Sequence, residues 1–190
     1  MGYEIVVIGA SRGGMRALAT LLSALPRELG ATVAAVLHRG EGSGEELIRF
    51  LQSASVLPVR EAQDKDDLGR GAVYVAPAGY HLLVEKGGLA LSTEGPVSWA
   101  RPSIDVLFES AADAGGERVI GVILTGANSD GAQGLARIKE RGGLTVVQEP
   151  SEAECPIMPE AAIAASAVDH VLRLAEIPPL LARLCPGITR

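Results

Sequence analysis

The chain has 190 residues, the size of one ordinary domain, and 47% of them are hydrophobic, which excludes a disordered protein. A net charge of -6 and an aromatic content of 3% argue against a nucleic-acid partner, which basic side chains and stacked aromatic rings would hold. The sequence contains no apolar run long enough to span a membrane and no signal peptide, so we expect a single cytoplasmic domain over 1–190.

In the first half of the chain, continuous runs of Val, Ile and Leu alternate with amphipathic segments. Helices are predicted over 15–25 and 44–53. Strands are predicted at YEIVVIG, ATVAAVLH, LPVREA and GAVYVAP. A β-hairpin is predicted over 81–92, where Gly87 and Gly88 would supply the positive φ values of its turn.

The second half continues the same alternation. A helix over 103–114 follows Pro102, and further helices are predicted from the turn GANSDGA to about residue 141, over 158–165 and over 177–184. The predicted strands are RVIGVILTG, GGLTVVQ and AVDHVLRL. Strands that are apolar throughout are buried on both faces, so the pattern predicts a doubly wound α/β domain. Its sheet would be mostly parallel, with helices on both faces and a β-hairpin insertion near residues 81–92.

Three predicted strands end in polar residues that could carry chemistry. Ser11 follows the first strand, His38 ends the second, and the strand GVIL leads into Asn128, Ser129 and Asp130. Ligands of open α/β sheets bind outside the carboxyl ends of the strands. The sequence therefore predicts a serine, an imidazole and a carboxylate at one edge of the sheet.

These three residue types suit nucleophilic catalysis. A neutral imidazole can take the proton of a serine hydroxyl, and a carboxylate can orient the imidazole. The run GASRG fits the G-x-S-x-G turn that exposes a nucleophilic serine, and the helix after it could stabilise an oxyanion through its first backbone N–H groups. The order Ser, His, Asp differs from that of α/β-hydrolases, so that fold is not implied.

Other interpretations of the same residues stay open. The glycine turn could bind a phosphate, His38 could be structural, and Asp130 could be the N-cap of the helix that follows it. A dinucleotide site is disfavoured because Ser11 replaces the second glycine of G-x-G-x-x-G, although Arg39 could meet a 2′-phosphate.

The two cysteines, Cys155 and Cys185, lack the spacing of metal ligands, and we expect reduced thiols with neither a metal site nor a disulfide. The reducing conditions of the cytosol would keep such thiols reduced.

Six long motifs occur in order along the chain: IGASRGG, LHRG, VYVAPAGYHL, RPSIDVLF, GVILTGANSDGAQGL and MPEAAI. From about residue 3 to residue 184 the sequence resembles the catalytic domain of the chemotaxis protein-glutamate methylesterases, the CheB family. The resemblance implies a serine hydrolase that removes methyl groups from glutamate esters on chemoreceptor helices and can deamidate certain receptor glutamines. It implies no metal or cofactor.

The resemblance also implies roles for particular residues. Ser11 would be the nucleophile, His38 the general base, and Asp130 the carboxylate that orients His38. The backbone amides of Arg12 and Ala127 would face the oxyanion.

Three further residues occur in or near these motifs. Arg101 would line the substrate groove, or alternatively pair with a carboxylate such as Asp105. His81 and His170 are interpreted as structural.

The chain departs from the common family pattern at Arg12, where a small residue or Thr is usual, in the segment HRGEGSG, and at Ala127, where Met is frequent. It also begins without the receiver domain of the best-known members, so a separate regulator acting in trans is one expectation. A catalytically silent binding module of a chemosensory pathway and a nucleotide-binding α/β protein are the alternative functions.

Overall fold

The structure, a computed structural model, describes residues 2–38 and 44–187. The helices are α1 (Gly14–Ser23), α2 (Gly44–Ala54), α3 (Ile104–Gly115), α4 (Ala132–Glu140), α5 (Ile157–Ala165) and α6 (Ile177–Leu184). The strands are β1 (Ile5–Ala10), β2 (Thr32–Leu37), β3 (Val59–Glu61), β4 (Val73–Val75), β5 (His81–Glu85), β6 (Gly88–Ser92), β7 (Val119–Ile123), β8 (Leu144–Gln148) and β9 (His170–Leu172).

Seven strands form one sheet in the order β3-β4-β2-β1-β7-β8-β9, and every adjacent pair in it is parallel. Strands β5 and β6 form a separate antiparallel hairpin, with Glu85 opposite Gly88. The predicted doubly wound α/β architecture with a hairpin insertion is confirmed.

The two faces of the sheet bury different side chains of the same strands. In β1, Val6 and Ile8 pack in the layer formed with α1, α2 and α6. Ile5 and Val7 point to the opposite layer, which is formed with α3, α4, α5 and the hairpin. All of β1 is buried, which explains why its sequence is apolar throughout instead of alternating.

Some predicted boundaries differ from the structure. Strand β9 covers only three of the residues in the predicted strand AVDHVLRL. Helix α5 begins at Ile157, ahead of Pro159, because a proline is tolerated in the first turn, where its missing N–H would have no helical acceptor. In the hairpin turn Gly87 has φ 95°, but Gly88 is an ordinary strand residue, so the prediction of a positive φ at Gly88 was wrong.

The strand order places three loops side by side. Strand β1 lies between β2 and β7, and the chain fills the sheet on both sides of it. The loops that follow β2, β1 and β7 therefore emerge at one edge, around the point where the strand order reverses. This is the edge at which open α/β sheets bind their ligands.

Both Cys155 and Cys185 are buried free thiols, and burial raises the pKa of Cys185 to about 11. Within residues 2–38 and 44–187, no helix has the length and apolar character needed to cross a bilayer.

Helices α3 and α4 pack so closely that Gly134 has no room for a side chain. A Cβ at this position would lie 2.5 Å from Phe108 Cβ and 3.0 Å from the backbone oxygen of Asp105. Because the obstacle includes backbone, we expect Gly134→Ala to cost about 1–3 kcal/mol of unfolding free energy through overpacking. Over most of this range the cost exceeds the roughly 1 kcal/mol by which alanine favours a helix over glycine.

Urea unfolding would measure this change, with Gly95→Ala as the control. A Cβ at Gly95 meets nothing within 4 Å, and its φ is not in the left-handed region. A Gly134→Ala variant as stable as the control would contradict the close approach of the two helices.

Candidate active site

Ser11 lies in a tight turn that is attached to the neighbouring strand. Its N–H donates to Thr125 O just beyond the end of β7 at 3.0 Å, and its carbonyl accepts from the N–H of Gly14 at 2.8 Å. Gly13 has φ 76°, a left-handed conformation that favours glycine and allows α1 to begin immediately afterwards. The hydroxyl-bearing residue is therefore held between the end of β1 and the first turn of a helix.

His38 follows β2 directly and lies beside this turn. Its N–H donates to Ala10 O at 3.1 Å, which continues the pairing of β1 and β2 by one step. Its Nε2 lies 2.7 Å from Asp130 Oδ2. The His38 side chain is 13% exposed and the Asp130 side chain is fully buried, so this contact is shielded from water.

Four donors surround the Asp130 carboxylate. Oδ2 accepts from His38 Nε2 and from the N–H of Ile104 at 2.7 Å. Oδ1 accepts from Ser103 Oγ at 2.8 Å and from the N–H of Asp105 at 3.0 Å. Since Ile104 and Asp105 begin α3, the carboxylate satisfies two of the N–H groups that have no acceptor within that helix.

Asp105 makes the converse contact with α4. Its Oδ1 accepts from the N–H groups of Gly131 at 2.9 Å and Gly134 at 2.7 Å, and Gly131 is the N-cap of α4. Asp130, which precedes α4, thus caps α3, while Asp105, which lies in α3, caps α4. The interpretation of Asp130 as the N-cap of its own following helix is wrong.

Burial acts to raise the pKa of both carboxylates, but their hydrogen bonds make the net shifts opposite. It raises the pKa of Asp105 to about 6; the N–H groups of Gly134 and Gly131 oppose this rise, and the charge of Asp130 adds to it. Burial alone would also raise the pKa of Asp130. Hydrogen bonds from His38, from the two backbone N–H groups and from Ser103 outweigh burial and hold the pKa of Asp130 below its usual value. The arrangement favours an ionised Asp130 facing the imidazole.

The second ring nitrogen of His38 faces an amide that the sequence analysis named without a role. Asn128 Oδ1 accepts from the N–H of Asp130 at 3.2 Å, which directs the amide nitrogen towards His38. Asn128 Nδ2 lies 3.3 Å from His38 Nδ1. With the Nε2 proton donated to Asp130, Nδ1 is the acceptor in this contact.

Ser11 and His38 both line two cavities that meet at the turn. The larger cavity, of about 640 Å³, lies against α1 and α2 and is also lined by Gly13, Met15, Arg16, Leu37, Glu46, Leu47, Phe50 and Glu154. The smaller cavity, of about 350 Å³, is formed with 98–102 and Asn128. Among the described residues no hydrogen bond joins the Ser11 hydroxyl to His38, so the ring and the hydroxyl share a space without being locked together.

The other predicted site residues flank this centre. The backbone N–H groups of Arg12 and Ala127 have no hydrogen-bond acceptor within the part of the chain that the structure describes. Arg12 is positioned through its carbonyl, which accepts from Thr125 Oγ1 at 2.9 Å. Both N–H groups are therefore available to a ligand.

Arg101 lines the smaller cavity, and its Nη1 donates to the carbonyls of Thr93 and Glu94, each at 3.1 Å. The alternative in which it pairs with Asp105 is wrong, because the Asp105 carboxylate is taken by the backbone of α4 and its preceding turn. The predictions for Arg39 and for most of the segment HRGEGSG fall in 39–43, outside the described residues.

The roles of Asp105 and Asn128 in the site were missed by reasoning from sequence, although both residues were named. Asp105 and Asp130 lie 25 positions apart, and no local spacing signals that each caps the helix of the other. The contact of Asn128 with the imidazole likewise depends on a ring 90 positions away. Only a motif search for acidic residues in the first turn of each helix could have drawn attention to Asp105.

Comparisons with known proteins identify one family. A family model described as CheB methylesterase matches residues 6–181. The crystal structure of the Thermotoga maritima CheB methylesterase catalytic domain superimposes with a TM-score of 0.91 at 32% identity, covering 97% of this chain and all of that one.

Curated relatives carry corresponding names. A Leptospira interrogans protein, provisionally named a protein-glutamate methylesterase/protein-glutamine glutaminase, is 49% identical over 97% of this chain and 96% of its own length. An Anaeromyxobacter dehalogenans protein named protein-glutamate methylesterase/protein-glutamine glutaminase 2 is 45% identical over 95% of this chain. The chain covers only 53% of the length of that second relative, so the curated relatives include proteins of about this length and longer ones.

The raised pKa of Asp105 predicts a measurable pH dependence of stability. Because the native state holds this proton more tightly than the unfolded chain, the unfolding free energy should fall as the pH rises from about 4 to about 6. Asp105→Asn keeps an oxygen for Gly131 and Gly134 but cannot ionise. We expect the fall to be smaller in the variant, by up to about 3 kcal/mol.

Urea unfolding of both proteins below and above this pH range would measure the difference, and other titrating groups cancel in the comparison. Asp130 does not interfere, because its lowered pKa places its own contribution at more acidic pH. Equal falls in the two proteins would contradict an ionisation cost at Asp105.

Proposed function

The chain belongs to the CheB methylesterase family, and we propose that it is a serine hydrolase that cleaves the methyl esters of glutamate side chains on chemoreceptors. The observation that carries this proposal is the buried pair formed by His38 and Asp130 beside Ser11. A serine beside an oriented imidazole at the edge of the sheet suits acyl transfer.

In the proposed first step, Ser11 Oγ attacks the ester carbonyl and its proton passes to His38 Nδ1. Nδ1 is the base because Nε2 already carries the proton donated to Asp130. The carboxylate stabilises the imidazolium that forms, and its four hydrogen bonds keep it in place. The tetrahedral intermediate then collapses as Nδ1 gives this proton to the methoxy oxygen, which leaves as methanol, and Ser11 remains acylated by the glutamate side chain.

In the second step, water gives a proton to His38 Nδ1 and attacks the acyl group. Collapse of this intermediate returns the proton to Ser11 Oγ and releases the glutamate side chain. The same steps with ammonia as the leaving group deamidate a glutamine, the second activity in the names of the curated relatives.

The N–H groups of Arg12 and Ala127, which have no acceptor among the described residues, are the proposed oxyanion donors. Donors of this kind act because they are already oriented before the negative charge develops, and losing one costs about 3–4 kcal/mol in a well-studied protease. Both donors are backbone groups and do not depend on the side chain. They are therefore present although Arg12 and Ala127 differ from the residues that are usual in the family. Arg101 is the proposed side chain of the substrate groove.

The proposed substrates are methylated cytoplasmic segments of chemoreceptors, which places the enzyme in the cytoplasm. A separate regulator acting in trans remains the proposed means of control. Two acidic side chains, Glu46 and Glu154, line the larger cavity. They suit a neutral ester better than the anionic product, and we infer that they favour product release.

The proposal predicts that Ser11→Ala abolishes methanol release. Removal of the attacking oxygen should lower the rate on methyl-labelled receptor membranes by at least about a thousand-fold, because the acyl intermediate forms on that oxygen. Labelling by a serine-directed phosphonate should be lost together with methanol release.

Ser23→Ala is the matched control, since Ser23 is an exposed serine near the end of α1 whose hydroxyl bonds only to its own helix. A folded wild-type protein that releases no methanol and resists the phosphonate would contradict the hydrolase proposal and favour a silent binding module. Stabilisation by a dinucleotide in the same protein would favour the nucleotide-binding alternative.

The contact between Asn128 and His38 leads to a second expectation. The amide of Asn128 occupies the Nδ1 acceptor that must receive the Ser11 proton, so it has to withdraw before the attack. We expect Asn128→Ala to speed phosphonate labelling of Ser11 by about two- to ten-fold, the equivalent of one neutral hydrogen bond.

The nitrogen chemical shift of Nδ1 in labelled protein would show directly whether the contact has been lost. Ser129→Ala, an exposed neighbour in the same loop, should change neither quantity. Slower labelling in Asn128→Ala would instead indicate that the amide holds the ring in its reactive orientation.

A further inference from the structure

The segment 93–103, between β6 and α3, forms a braced loop at the edge of the smaller cavity. His81 is buried and holds both ends of the loop: its Nε2 donates to Gly95 O at 3.0 Å, and its Nδ1 accepts from the N–H of Ser103 at 3.2 Å. Arg101 adds its two hydrogen bonds to Thr93 and Glu94. His81 therefore has a structural role, as predicted: its two hydrogen bonds close the base of this loop.

The tip of the loop is a tight two-residue turn. Val97 and Ala100 exchange backbone hydrogen bonds of 3.1 and 2.9 Å, and Ser98 and Trp99 stand between them. Their φ values are 50° and 63°, in the left-handed region that glycine and asparagine occupy far more readily. Neither residue suits this turn by conformational preference, and strain of this kind tends to occur at functional sites.

Trp99 is also the most exposed large hydrophobic residue among those that the structure describes, at 101% relative exposure. An indole is among the largest apolar groups in proteins, and leaving it in water forgoes the stabilisation that burial provides. A side chain placed this way contributes nothing to packing within the domain. A single exposed apolar residue is common on protein surfaces, so the location of Trp99 decides whether its exposure implies contact with another molecule.

The location of the turn identifies that molecule. Residues 98–102 form one side of the 350 Å³ cavity, and Ser11, His38 and Asn128 form the other. A polypeptide whose esterified side chain reaches Ser11 through this cavity therefore passes beside the turn. We propose that Trp99 packs against the protein substrate next to the esterified glutamate and so selects protein esters over small ones. This inference rests on the proposed function.

The chemistry of tryptophan fits such a role. Interface residues that dominate binding energy are enriched in Trp, because one rigid side chain buries a large area with little loss of conformational freedom. The hydrogen bonds at the base of the loop make the presentation rigid before binding. A small ester can reach the Ser11 hydroxyl without covering the indole, whereas a polypeptide that binds along the smaller cavity covers it.

Trp99 is the only tryptophan in the chain, so its fluorescence reports on this residue alone. The binding experiment uses the Ser11→Ala variant, which cannot turn over the ligand. The probe is a methylated cytoplasmic fragment of a chemoreceptor whose own tryptophans have been replaced by phenylalanine. We expect a blue shift of the emission and protection from acrylamide quenching as the indole leaves water. An unchanged spectrum at a concentration where the fragment is bound would overturn the proposal.

Kinetics provide the second readout. Trp99→Ala should raise KM for the methylated fragment by about ten- to thirty-fold, the range of a moderate interface hot spot, with a much smaller effect on kcat. Its loss of activity on the fragment should exceed its loss in phosphonate labelling by at least about five-fold, since the phosphonate does not cover the indole. Trp99→Phe should restore most of the affinity.

Val56→Ala is the matched control, because Val56 is an exposed apolar residue that lines neither cavity beside Ser11. Equal losses on the fragment and the phosphonate would overturn the proposal by indicating a general disturbance of the site. A wild-type protein that resists the phosphonate while its fluorescence still responds to the fragment would overturn the proposed hydrolase, but not the contact of Trp99 with the fragment.

Discussion

The geometry of the site depends on one buried carboxylate. Asp130 has no contact with solvent, and its charge is tolerable only because His38, the Ser103 hydroxyl and two N–H groups of α3 donate to it. Those donors lie on separate elements, so the carboxylate fixes α3, the loop after β7 and the imidazole relative to one another. Removing any one donor would leave a charged oxygen underbonded in a dry environment, which is a large penalty.

The exchange of caps between α3 and α4 extends this constraint. Asp130 caps α3 and Asp105 caps α4, so the two helices cannot slide past each other without breaking both sets of hydrogen bonds. The glycine at position 134 allows the close approach that the exchange requires. The two like charges also raise the free energy of the native state. Protonation of Asp105 at lower pH relieves part of this cost.

The other groups of the site are linked to Asp130 and α3 either directly or through intermediate residues. His38 is bonded directly to Asp130, and Asn128 joins the ring to the backbone of Asp130. The loop that carries Trp99 connects through Ser103, which caps α3, bonds to Asp130 and donates its N–H to His81. A single network of hydrogen bonds thus links the proposed catalytic groups to the proposed substrate contact.

The sequence alone determined the class of fold and the residues at the edge of the sheet. Apolar runs and helical spacing are local signals, and the carboxyl ends of parallel strands share one edge, so Ser11, His38 and Asp130 could be grouped without coordinates. The tertiary structure decided that Asp130 caps α3 and that Asp105 caps α4. It also decided that Asn128 contacts the imidazole of His38 and that Trp99 lies beside the smaller cavity. These contacts join residues far apart in the chain. Their geometry comes from the packing of α3 against α4 and β7, which no local pattern encodes.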